Sequence, residues 1–108
     1  MGDDKLLKEI GSRVNSRRRE LRLTQEQVAE QMDVSVQMVS NLELGRKAIR
    51  PENIVKLCAV LQISADYLLT GNYSDCELME ITGKIAKLSV KQQWIVEQLV
   101  DALLEQKN

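Results

Sequence analysis

Four residues in the segment MDVSVQMVSNLELG, residues 32–45, share the equipment for recognising another molecule: Val36, Gln37, Ser40 and Asn41. At about 100° per residue they fall on one side of a helix, with Leu44 extending the row. Two amides, a hydroxyl and methyl groups offer paired donors and acceptors but no charge, so this side can match a hydrogen-bonding edge and cannot move a proton. It holds no Lys or Arg, whereas an ordinary solvated helix face is rich in Lys and Glu. The other side of the same helix, with Met38, Val39 and Leu42, is apolar. Catalytic equipment is scarce elsewhere. The chain has no histidine, which removes the commonest general base and metal ligand. Neither a Ser-His-Asp triad nor a His/Cys zinc site can be assembled, and no Gly-rich phosphate loop is present. Asp3-Asp4, the only adjacent carboxylate pair, lies at the terminus. The expectation is no enzyme activity, no metal and no cofactor.

The elements that must position this face are helical. The chain has 108 residues, which suits one compact domain with an appendage. Apolar residues make up 44%, too many for a disordered chain, and the absence of Phe makes the core aliphatic. One Pro and five Gly, amid abundant Leu, Glu, Gln and Lys, favour helix over sheet. Cys58 lies on an apolar stripe and Cys76 between segments, a placement for isolated thiols and not for a disulfide framework. No stretch approaches the roughly 18–20 apolar residues of a bilayer span, and MGDDKLLKEIGSR lacks the basic-then-apolar order of a signal peptide. The expected location is cytoplasmic, with no membrane partner.

Seven helices are expected. The first runs from about Lys5 to Leu21, with Ile10, Val14, Arg18 and Leu21 in its inner stripe. Thr24 and Gln27 form a capping box at the start of the second, whose inner face is Val28, Ala29 and Met32. Ser35 caps the third and Gly45 ends it. Pro51 opens the fourth, which buries Ile54, Leu57, Cys58 and Leu61, and Ser64 opens a short fifth that stops at Gly71. Two further capping boxes, Ser74 with Glu77 and Ser89 with Gln92, open the last two helices, the second reaching about Gln106. Charge is uneven. Residues 13–50 carry eight Arg and Lys against five Asp and Glu, a net of +3, while residues 74–108 carry four against six, a net of −2. A nucleic-acid footprint needs such a concentration.

Helices two and three, joined by a tight turn and with the second exposing a polar face, describe a helix-turn-helix. Ala29 is small where two helices approach closely; Asp33 sits where a left-handed turn residue is needed; Val39 closes the inter-helix core. On TQEQVAEQM, VSVQMVSNLELG, RPENIVKLCAVL and ISADYLLTG, covering about residues 6–71, the sequence resembles the lambda-repressor-like (Cro/XRE) family. The departures are Asp33 for the commoner Gly and an unusually apolar Leu44. The resemblance implies an all-α, five-helix DNA-binding domain, here residues 1–73; the two helices that the last capping boxes open are expected to form a C-terminal dimerisation segment over residues 74–108. It implies that the third helix enters the major groove of double-stranded DNA, with Val36, Gln37, Ser40 and Asn41 reading bases. Amides suit adenine and apolar groups suit thymine methyls, so A·T-leaning contacts are expected. Gln25 matches a position that holds a phosphate at the start of helix two, where free N–H groups favour an anion. Arg46, Lys47 and Arg50 are further phosphate candidates. The Arg17-Arg18-Arg19 run is read as solvated helix surface, except Arg18, which lies in the apolar stripe and needs a partner. Glu43 is that partner: the family carries an ion pair at the matching positions.

The last helix has apolar residues over about 200° of its circumference, twice what one neighbour requires. The rival to an interface is that the last two helices merely cap their own domain. We expect instead a two-fold interface with a second copy, built on Ile95, Val96, Leu99, Val100 and Leu103, with Trp94 and Val90 packing on helix six or on the DNA-binding domain. A dimer reads two half-sites of a near-palindromic operator, which one helix cannot discriminate in a genome. The resulting expectation is a homodimeric transcriptional regulator, a repressor in preference to an activator. The alternative is an antitoxin-type interaction module whose C-terminal helices bind a partner protein. Any signal has to act through a protein antagonist, proteolysis or those helices.

Overall fold

The aliphatic, proline-poor chain folds as helices throughout. The computed structural model describes residues 2–106, with side chains from Asp4 onward, so the Asp3-Asp4 pair lies partly outside the described residues. The helices are α1 (Gly2–Glu20), α2 (Gln25–Met32), α3 (Val36–Glu43), α4 (Pro51–Leu61), α5 (Ala65–Thr70), α6 (Asp75–Ala86) and α7 (Val90–Glu105). No strand occurs among the described residues. The chain divides between Tyr73 and Ser74 into two units, the first holding α1–α5 and the second α6–α7. Helix α1 begins three residues before the expected Lys5.

The core lies wholly in the first unit. It joins Ile10 and Val14 of α1, Val28, Ala29 and Met32 of α2, Val39 and Leu42 of α3, Leu57 and Leu61 of α4, and Leu68 of α5. Ile54 and Cys58 pack against its margin, half-buried, where the stripe had suggested full burial. Cys76 lies on α6, exposed, and not between segments.

Local chemistry sets where each helix starts and stops. Thr24, Ser74 and Ser89 each accept from the backbone of the third helical residue, whose side chain returns to the cap, completing three capping boxes. The tight link between α2 and α3 turns on Asp33 at φ 58°, with the Val34 N–H donating to Ala29 O at 3.0 Å. Arg22 and Gln62 adopt the same left-handed conformation at the ends of α1 and α4, without any turn residue to announce it. Each non-glycine costs about 1 kcal/mol in that conformation. Gly45, at φ 69°, ends α3 with the Arg46 N–H donating to Asn41 O at 3.0 Å.

Guanidinium groups from α1 serve two other helix ends. Arg13 donates to Leu68 O at 2.9 Å near the end of α5, and Arg17 Nε donates to Leu61 O at 2.8 Å at the end of α4. Carbonyls there lack intrahelical partners, and a cation suits the negative end of the helix dipole. Of the Arg17-Arg18-Arg19 run only Arg19 is exposed, so the run is largely structural and not solvated surface.

Candidate nucleic-acid interface

Helix α3 is held by its inner side, so its other side is free. Val39 is fully buried and Leu42 nearly so, and Ser35 Oγ accepts from the Met38 N–H at 3.1 Å to fix the helix start. Helix α1 presses on the opposite end. A Cβ on buried Gly11 would lie 2.6 Å from Glu43 O and closer still to Leu42 O, so only glycine allows this approach. No signal in the sequence pointed to Gly11.

One carboxylate ties three helices together at that end. Arg18 Nε donates to Glu43 Oε2 at 2.6 Å and Arg18 Nη2 to Glu43 Oε1 at 3.1 Å, while Arg18 Nη1 donates to Leu23 O at 2.9 Å. The Arg18 and Glu43 side chains are 13% and 4% exposed. Asn15 Nδ2 and Gln25 Nε2 donate to Glu43 Oε1 at 2.7 and 3.0 Å. Burial pushes the Glu43 carboxyl up, but hydrogen bonds from Arg18, Asn15 and Gln25 and the guanidinium charge outweigh it and hold the group below its ordinary value. The same contact raises Arg18 against the opposing effect of burial. Asn15 was not singled out from the sequence, although its place one turn before Arg18 on α1 is compatible with a shared partner.

The outward side of α3 carries the neutral groups. Val36 is 41% exposed, Gln37 is exposed, and Ser40 and Asn41 are half-buried. Gln37 Nε2 donates to Asn41 Oδ1 at 3.2 Å. A recess of about 200 Å³ lies beside these two amides, lined also by Ser35, Met38, Leu42, Lys47 and Ala48. Arg46, Lys47 and Arg50 follow on an exposed segment, Arg50 standing 3.9 Å from Glu52. Gln25, at the start of α2, is half-buried on Glu43; that bond engages one of its two N–H groups and leaves the other available. A neutral outward face flanked by cations is thus present, with its rear fixed by a buried charge network.

In the second unit every residue of α6 and α7 keeps substantial exposure. Ile95 is 51% exposed, Leu99 58%, Val100 48% and Leu103 58%, with Val96 half-buried. Trp94 and Val90 are 60% and 85% exposed. Gln93 Nε2 donates to Ile85 O and Leu88 O at 3.1 and 3.2 Å, holding the turn between α6 and α7. Among the described residues no group of three or more His, Cys, Asp or Glu could hold a metal, and no helix is long and apolar enough to cross a membrane.

A helix-turn-helix family model matches residues 14–68, just over half of the chain. The chain is 29% identical over 97 residues to the cryptic phage CTXphi transcriptional repressor RstR of Vibrio cholerae, covering 88% of this chain and 87% of that one. Among solved structures it is similar to the restriction-modification controller protein C.AhdI from Aeromonas hydrophila (TM-score 0.55, 29% identity, 57% of this chain and 94% of that one). It is also similar to the clp gene regulator ClgR from Corynebacterium glutamicum (TM-score 0.56, 28% identity, 91% and 89%). A SinR/SinI complex shares the fold (TM-score 0.57, 22% identity, 90% and 99%).

Proposed function

Since this chain belongs to the helix-turn-helix family and is a DNA-binding transcriptional regulator, not an enzyme, we propose that it acts in the cytoplasm as a homodimeric repressor of a near-palindromic operator. The observation that carries the reading is the outward side of α3: exposed or half-exposed amides, hydroxyl and methyl groups on a helix whose inner side is locked into the core. Val36, Gln37, Ser40 and Asn41 read base edges in the major groove, where neutral donor–acceptor pairs and methyl contacts distinguish the four base pairs. Arg46, Lys47 and Arg50, with the remaining N–H of Gln25, hold phosphates and fix register.

Dimerisation rests on α7. A helix apolar on most sides belongs in an interior, yet Ile95, Leu99, Val100, Leu103 and Leu104 are each about half exposed or more in the single chain. A second copy supplies the missing cover at no cost in new sequence and creates the two-fold symmetry that a palindrome requires. Repression follows from occupancy of a promoter, and the similarity to a phage repressor supports that sign.

Selection of bound fragments from random DNA tests the reading, combined with sedimentation of the free protein. The expected result is a two-fold-related motif whose half-sites lie about 34 Å apart or a multiple of it, bound by a dimer. A motif without symmetry, or a monomer that gains its second unit's order only with a different protein, overturns the homodimer.

A further inference from the structure

We propose that Gln37 and Asn41 read DNA as one hydrogen-bonded unit that places an adenine under Gln37 and a thymine under Asn41. The proposal rests on the reading of α3 as the base-contacting helix and adds which bases its amides accept.

The two residues stand one helical turn apart, and Gln37 Nε2 donates to Asn41 Oδ1 at 3.2 Å. A side-chain amide has two N–H donors and one carbonyl oxygen. The bond leaves Gln37 its oxygen and one N–H, the adjacent acceptor and donor that fit adenine N6–H and N7. It leaves Asn41 both N–H groups, while its oxygen is turned to Gln37. An unpaired Asn favours adenine bidentately; a paired one, with one lone pair of its oxygen taken and that oxygen turned away, meets bases chiefly through its two N–H donors. Its matches are then edges rich in acceptors, which are thymine O4 or guanine O6 and N7. Cytosine, offering only its N4 amino group to the groove, is disfavoured.

The recess decides between thymine and guanine. Beside the pair it is lined by Met38, Leu42 and Ala48, whose side chains carry no strong donor or acceptor, and by Lys47, whose ammonium the proposed function places on a phosphate. Ser35 Oγ in the same lining already accepts from the Met38 N–H. Thymine carries a C5 methyl next to O4; guanine has no such group. With the Lys47 ammonium on a phosphate, the apolar side of the lining rewards the methyl, which guanine lacks.

The test compares base preferences selected from random DNA by the wild type, Asn41→Ala and Gln37→Ala, with circular dichroism confirming that each variant is folded. The position at which Asn41→Ala flattens the preference identifies that residue's base. The expected wild-type preference there is thymine, and Gln37→Ala should move it toward adenine by freeing the Asn41 oxygen. Adenine or cytosine in the wild type, or a preference that Gln37→Ala leaves unchanged, overturns the coupled unit, and guanine overturns the thymine assignment. If Asn41→Ala and Gln37→Ala alter no position at all, the reading of α3 falls instead, so the two failures are distinct. Deoxyuridine in place of that thymine removes only the methyl. Affinity should drop about fourfold, the equivalent of about 0.8 kcal/mol for one buried carbon; no change means that the recess does not hold the methyl.

Discussion

Replacing Glu43 by Gln tests the network behind the recognition helix with a change of one atom and one charge. The carboxylate is 4% exposed and accepts from Arg18 twice, from Asn15 and from Gln25. A glutamine must direct its NH2 either at the Arg18 Nε–H or at the three donors on the other oxygen, so donor faces donor in both orientations. The Arg18 side chain, 13% exposed, then keeps its charge with no anion beside it, its acceptors reduced to Leu23 O and one amide oxygen. Breaking a buried ion pair from one side costs about 3–5 kcal/mol, a large part of a small domain's stability. Urea unfolding followed by helical circular dichroism should therefore show the midpoint falling steeply at pH 7. The pH dependence has a definite sign. Folding lowers the Glu43 pKa, so its contribution is complete above the unfolded carboxyl value and is lost as pH falls through the folded one. The wild type should lose part of its stability over that acid range, and Glu43→Gln should lack that part. A loss below about 1 kcal/mol at pH 7, or the same acid dependence in both proteins, would refute the reasoning.

Three further outcomes follow from other parts of the molecule. Gly11→Ala should destabilise the first unit by about 1–3 kcal/mol, because its Cβ meets the α3 backbone at Leu42 and Glu43; the helix-propensity gain of about 1 kcal/mol does not offset this, and thermal unfolding reads it. Leu99→Ala, at a side chain 58% exposed in the single chain, removes about 1–1.5 kcal/mol of burial from each of two copies, so the dimer dissociation constant by sedimentation should rise about 30- to 150-fold. Arg46→Ala should weaken all DNA sequences alike and reduce the slope of affinity against salt by about one unit.

The helices were legible because their signals are local. Thr24, Ser74 and Ser89 each cap a helix within three residues of themselves, and Val28, Ala29, Met32 and Val39 repeat at helical spacing toward one core. The outward side of α3 was legible for the same reason: burial on one side dictates exposure on the other. What the sequence hid is long-range. Asn15 and Gln25 reach Glu43 across 28 and 18 residues, and Arg13 and Arg17 reach the ends of α5 and α4 across 55 and 44. Nothing in the type or spacing of an arginine says which distant carbonyl it will meet. Gly11 was equally silent, since a glycine within a helix looks like a weakness until its neighbour's backbone is placed against it. Arg22 and Gln62 took left-handed conformations for which their side chains carry no preference.

The account depends on the outward side of α3 being the surface that meets bases. Equilibrium titration of a selected operator and of unrelated DNA with the wild type and Gln37→Ala, at one salt concentration, tests this most directly. Operator affinity should fall by about 1–3 kcal/mol, roughly thirtyfold at the middle of that range, with binding to unrelated DNA unchanged. An operator affinity and base preference identical to the wild type's, in a folded variant, would contradict it.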